Sequence, residues 1–292
     1  MFIFEGAKKP YILAGITIFF WSTIATVSKL MLNSVNNFQF LWISSFFACV
    51  FLGIVNILTG KVKILKNYTF KDFGITILIG LPGTAFYYLF YYAGADLLPA
   101  SQAFIINYMW PILSVVFACI LLKEKFTMRK IIALGISFVG VAIVGAADFE
   151  SSSLKGIVCC LLGAVSYGSF TALNQKYNYQ KDVSMMLNFF ATFVLTGIFL
   201  ASKNQLFVPD LSGVLLSAWN GILVMATATT LWALALESGK TAKISNLAYI
   251  TPFLSLVWIM LVLKEQPAME SIVGLVIIVI GIFVQLTNKK ES

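Results

Sequence analysis

Histidine is absent from this 292-residue chain, and charged residues make up only 11% of it. The first absence removes the commonest metal ligand and the usual general base of enzyme sites. The second excludes an ordinary soluble domain, whose water-facing surface needs about twice that share of charge. The cysteines Cys49, Cys119, Cys159 and Cys160 lie inside apolar runs without metal-ligand spacing and read as small core residues. No Asp or Glu stands in the interior of a long apolar run; Asp96, Asp148, Glu150 and Glu237 fall at or beyond the run ends. Proton or sodium coupling normally rests on buried carboxylates, so coupling of that kind is not expected. Glycine-rich phosphate loops are also missing, which excludes ATP as a motor. Lacking histidine, embedded acids and any nucleophile beside a base, the chain is not expected to be an enzyme or to hold a metal or cofactor.

What the chain does contain is hydrocarbon, with 60% hydrophobic and 15% aromatic residues. Apolar runs of about twenty residues are long enough to cross a hydrocarbon core of about 30 Å as helices. Ten such runs are expected at 10–32, 37–59, 72–94, 97–122, 130–147, 155–175, 184–202, 211–236, 241–263 and 268–287. The N-terminal segment is too short for a secretory signal, so the first run is expected to be retained. A formal charge of +8 would suit nucleic acid, but the basic residues sit in short connections between runs and report topology instead. With the amino terminus in the cytoplasm, sixteen Lys and Arg fall inside and only Lys29, Lys155, Lys203 and Lys264 fall outside or near the outer end. That bias predicts both termini in the cytoplasm.

Within the uncharged run at 97–122 stands Asn107-Tyr108-Met109-Trp110-Pro111. Proline removes a backbone donor and disfavours helix at the residue before it, so a break is expected in mid-membrane beside an amide, a phenol and an indole. Proline kinks are common in membrane helices, and such a stretch alone serves packing as readily as binding. It returns, however, as Tyr249-Ile250-Thr251-Pro252, 141 residues on. The same shift superimposes Asp96 on Glu237, Leu122-Lys123-Glu124 on Leu263-Lys264-Glu265, Gly15 on Gly156 and Gly140 on Gly281. The chain therefore reads as two five-helix repeats, 1–149 and 150–292. An odd number of spans per repeat inserts the second copy the other way up and places the expected binding site near mid-bilayer.

Other candidates follow from helical spacing. Tyr87 and Tyr91 are neighbours on one face of the third run, with Tyr88 and Tyr92 on another that meets headgroups or a neighbouring helix. Trp21 and Thr26 are expected to point inward from the first run, whereas Lys29 suits snorkelling to the surface. Tyr167, Ser169 and Asn174, then Thr227, Thr229, Thr230 and Trp232, then Asn246, Tyr249 and Thr251 supply polar handles in the second half. Most of the serines and threonines are expected to bond back to their own helix.

These residues resemble the drug/metabolite transporter superfamily, in particular its ten-helix members built from two EamA-type repeats. Phe20-Trp21-Ser22-Thr23, Asn107-Tyr108-Met109-Trp110-Pro111 and Tyr249-Ile250-Thr251-Pro252 are most similar to the aromatic amino acid exporter branch. The resemblance implies an all-α inverted-repeat fold in a prokaryotic inner (plasma) membrane, working by alternating access through a central aromatic cavity. Trp21, Tyr87, Tyr91, Tyr108, Trp110, Pro111 and Tyr167 would line it; a tryptophan is expected where Tyr167 stands. With Asn107, Trp232, Tyr249 and Thr251, these are the predicted substrate contacts. The expected activity is export or facilitation of aromatic or other neutral amino acids, or similar metabolites. The alternative is export of drugs or quaternary amines. The expected partners are a small-molecule substrate and the lipid bilayer, not nucleic acid, and monomer and homodimer both stay open.

Overall fold

Residues 9–146, 153–177, 179–236 and 247–286 are described in the computed structural model. All regular structure among them is helical, as a hydrocarbon environment requires of a chain that must pair its own backbone groups. The α-helices are α1 (Lys9–Ser22), α2 (Ile24–Leu32), α3 (Asn37–Leu58), α4 (Phe70–Leu81), α5 (Tyr87–Leu97), α6 (Ala100–Asn107) and α7 (Trp110–Leu121). They continue as α8 (Met128–Ala146), α9 (Leu154–Lys176), α10 (Lys181–Ser202), α11 (Leu211–Ala218), α12 (Ala228–Leu236), α13 (Thr251–Trp258) and α14 (Met269–Leu286). Among the described residues, eight helical stretches are long and apolar enough to cross a membrane, and Ala248–Leu263 and Met269–Val284 are shorter apolar helices. The chain is a multi-pass membrane protein. Glu237, Asn246, Asp148, Glu150 and the start of the expected run at 241–263 lie outside the described residues.

Several spans are broken, and the local sequence accounts for the breaks. Pro82 opens a π-helical segment, Pro82–Phe86, between α4 and α5. A second π segment, Trp219–Thr227, joins α11 to α12 and seats Gly221 on α3, where an added Cβ would lie 2.9 Å from Phe47 Cβ. The break between α1 and α2 at Thr23 was not foreseen. There the hydroxyls of Ser22 and Thr23 donate to the carbonyls of Phe19 and Phe20, each at 2.7 Å, competing with the helical ladder. At the polar turn after α2, Asn36 and Gln39 cap α3 reciprocally, which ends one helix and starts the next within five residues.

Local departures recur at the 141-residue shift. Pro82–Phe86 falls on the later part of Trp219–Thr227, and the Tyr108-Met109 break falls on the 3₁₀ turn Ala248–Ile250. Lys123 and Lys264 both adopt a left-handed backbone, with φ of 60° and 58°.

The described helices form two compact units. Unit 1 holds the residues up to Lys66 together with those from Met185 to Lys264; unit 2 holds Asn67–Ser184 and the residues from Glu265 onward. In unit 1, α1 packs on α12 and α13, with Thr17 Oγ1 donating to the Ala228 carbonyl at 3.1 Å. In unit 2, α9 packs against α5, α6 and α7, and α8 packs along α14.

Glycine makes the α8–α14 contact close. A Cβ on Gly140 would lie 2.7 Å from the Gly274 carbonyl oxygen, and one on Gly274 would lie 2.6 Å from that of Gly140. Small residues let backbones approach where there is no hydrophobic effect to drive helices together. Gly140→Val is therefore expected to lower the melting temperature in detergent by several degrees, about 1–3 kcal/mol of overpacking. Gly135→Ala, whose methyl meets nothing within 4 Å, should leave it unchanged; equal shifts in both variants would contradict this packing.

Candidate functional site

Unit 2 gathers seven of the predicted residues. The break in the fourth span sits between α6 and α7 because Pro111 cannot offer an N–H to the Asn107 carbonyl four residues back. The Tyr108 amide is shared between the carbonyls of Phe104 and Ile105, at 3.0 and 3.1 Å, and Met109 N reaches Ile106 O at 3.2 Å. This tightened turn leaves Asn107 as the last residue of α6 and Trp110 as the first of α7.

From that turn Asn107 Nδ2 donates to the Tyr87 hydroxyl oxygen at 3.1 Å. Tyr87 stacks on Tyr91, with ring centroids 6.1 Å apart and planes within 7°. Tyr167 on α9 joins the two sides, its ring 4.8 Å from Tyr87 and 5.0 Å from Trp110, edge-on to the indole at 81°. Tyr108 stands 6.3 Å from Trp110. Tyr87, Tyr91, Asn107 and Tyr108 are buried, whereas Trp110, Pro111 and Tyr167 are half-buried and form the accessible margin.

Tyr88 and Tyr92 are buried as well, so of the two settings expected for that face it is packed on protein. Asn107 Oδ1 has no hydrogen-bond partner among the described residues. It lies 3.2 Å from where a Cβ on Gly163 would be. Gly163 and Phe170, whose ring is 5.7 Å from that of Tyr167, were missed by the sequence reading. Their only signal is the run of small residues along α9.

Unit 1 brings together Trp21 and Trp232, with centroids 5.3 Å apart and both rings half-buried. Trp232 also packs with Leu13 and Leu247 on Ala14 and Ala235. Tyr249 lies in the 3₁₀ turn before α13, and Thr251 is that helix's first residue. Both are buried, and Thr251 Oγ1 finds no partner among the described residues. Ser169 and Thr229 bond back to their own helices, to Ser166 and Met225 carbonyls at 2.8 Å each. Two apolar cavities of about 260 and 360 Å³ also lie in unit 1, lined mainly by hydrocarbon and aromatic side chains such as Trp42 and Phe193, or Phe19 and Trp258. No predicted contact lines either one.

An EamA-like transporter family model matches the chain twice, over residues 8–146 and 154–287. The chain belongs to the EamA-like transporter family. Members of this family are transporters and not enzymes. An uncharacterized transporter of Clostridium kluyveri is 25% identical over 98% of this chain and 95% of its own length. YvbV, an uncharacterized transporter of Bacillus subtilis (strain 168), is 25% identical over 82% of this chain and 80% of itself. One from Archaeoglobus fulgidus is 22% identical over 96% of this chain and its full length. A solved crystal structure superimposes with a TM-score of 0.69 at 20% identity, covering 97% of this chain and 98% of that one. The EamA-like fold thus carries the ring cluster of unit 2 on two broken spans and the unbroken α9.

Tyr87→Phe removes the acceptor for a buried amide donor. The variant is expected to lose about 1–3 kcal/mol, seen as a lower melting temperature in detergent. An unchanged melting point would mean that the Asn107–Tyr87 hydrogen bond contributes nothing to the folded state.

Proposed function

We propose that this protein exports or facilitates the passage of aromatic or other neutral amino acids, or similar small amphipathic metabolites, by alternating access. The observation that carries the proposal is the Asn107–Tyr87 hydrogen bond, set beside the half-buried rings of Tyr167 and Trp110. With its oxygen already accepting from Asn107, the Tyr87 hydroxyl proton is left to donate to a substrate carboxylate. The Tyr167 and Trp110 rings offer a flat apolar wall to the other end of the ligand. None of these residues carries a fixed charge, so neither charge of a zwitterion is trapped. In unit 1, the Trp21–Trp232 ring pair and the buried Tyr249 and Thr251 offer the same aromatic and hydroxyl chemistry.

We further propose ten spans in two inverted five-helix repeats, 1–149 and 150–292, with both termini in the cytoplasm of a prokaryotic cell and the protein in its plasma membrane. Support comes from the double family match, the paired backbone departures at one shift and the sixteen-to-four placement of basic residues. Proline breaks in corresponding spans are where an inverted-repeat transporter bends and binds.

A ring-lined site also suits quaternary amines, held by cation–π attraction. Among the described residues no carboxylate is recorded in contact with the unit 2 rings, which favours the zwitterion. In proteoliposomes, labelled L-phenylalanine should enter without an imposed proton or sodium gradient, and neutral amino acids should compete better than tetraalkylammonium. Strict gradient dependence, or the reverse order of competition, would reject the reading. Trp110→Ala should abolish this flux with normal membrane insertion, and unaltered uptake would count against the site.

A further inference from the structure

The chain passes from unit 1 to unit 2 between Lys264 and Glu265. Lys264 is left-handed, with φ of 58°, a conformation that costs a β-carbon-bearing residue and reverses the backbone sharply. Glu265 follows at once and turns its carboxylate onto the start of α6. Its Oε2 accepts from Ala100 N at 2.9 Å, and its Oε1 accepts from Ser101 N at 2.9 Å and from the Ser101 hydroxyl at 2.5 Å.

The residue that precedes α6 is Pro99, which gives no side-chain cap. The cap is therefore supplied from 165 residues away, by an anion at the positive end of the helix. α6 is only eight residues long, about 12 Å of rise, and Asn107 ends it. A short, stiff helix thus connects the Glu265 carboxylate to the amide that holds Tyr87.

The Leu122-Lys123-Glu124 triplet shares the left-handed lysine, yet Glu124 forms an ion pair with Lys130 at 3.0 Å.

We infer that Glu265 is a latch: it positions α6, and through α6 the Asn107 amide, for substrate. It is a positioning residue and touches no substrate itself. The inference rests on reading Asn107 and Tyr87 as part of the substrate site. Replacing Glu265 frees the start of α6 and lets Asn107 drift from Tyr87. A glutamine keeps one carbonyl oxygen, which can accept from Ser101 but leaves Ala100 N without its acceptor.

The test uses the full chain in proteoliposomes with labelled L-phenylalanine. Glu265→Ala should raise KM about tenfold with the maximal rate within threefold of wild type, and Glu265→Gln, which keeps one of the two acceptor oxygens, should raise KM less than Glu265→Ala does. A merely structural role would reduce the amount of folded protein and leave KM of the survivors unchanged, which would overturn the latch. Should the wild type fail to carry L-phenylalanine, the substrate reading fails on its own and hydrogen exchange decides the latch. In Glu265→Ala, amide exchange should then quicken along α6 as far as Asn107. Acceleration confined to Ala100 and Ser101, or none at all, would overturn the latch.

Discussion

A backbone carbonyl or amide freed inside a bilayer has no water to turn to, and each one left unmet costs several kcal/mol. Every break in these spans has to be answered by a side chain or a tightened turn, and those answers place the chemistry. In the first span the reply is a relay: Trp258 Nε1 donates to the Ser22 hydroxyl at 3.0 Å, which donates to the Phe19 carbonyl. Trp219 Nε1 does the same for Thr23 at 3.1 Å, and Thr23 serves Phe20. Indole, hydroxyl and carbonyl are thus tied together within unit 1, and a bend persists without proline.

In the fourth span the break is answered from both ends. Shared amide bonds tighten the turn at Tyr108, the Ser114 hydroxyl takes the Pro111 carbonyl at 2.7 Å, and Glu265 secures the far end of α6. This arrangement leaves the side chains of Asn107 and Trp110 at a bend that an unbroken helix would not make. The Asn107 side chain is fixed on one side by Tyr87 and enclosed on the other by Gly163. Its oxygen remains without a partner among the described residues, a cost that a folded membrane protein bears where a ligand or a moving helix supplies the missing donor.

Most of the span pattern was legible because it depends only on length and apolarity, and the break before Pro111 was legible because proline chemistry is local. The tyrosine face was legible in part: spacing paired Tyr87 with Tyr91, but only packing on α9 brings Tyr167 between Tyr87 and Trp110. The break at Thr23 was hidden, since Ser22 and Thr23 read as ordinary polar residues until Trp219 and Trp258 arrive from more than 190 residues away. Glu265 was visible as part of a recurring triplet, but its task depends on an amide 165 residues distant. Compact units that interleave the two ends of the chain were equally out of reach of any linear reading, because they follow from packing among helices and not from neighbours in sequence.

The central claim is that the break at Pro111 exists for transport and is carried at a cost in stability. Pro111→Ala returns the missing N–H to the Asn107 carbonyl and allows the span to straighten. The decisive measurement pairs the melting temperature of this variant in detergent with its L-phenylalanine flux in liposomes. The account predicts a higher melting temperature and lost flux. Undiminished flux through a protein of raised or equal stability would contradict it.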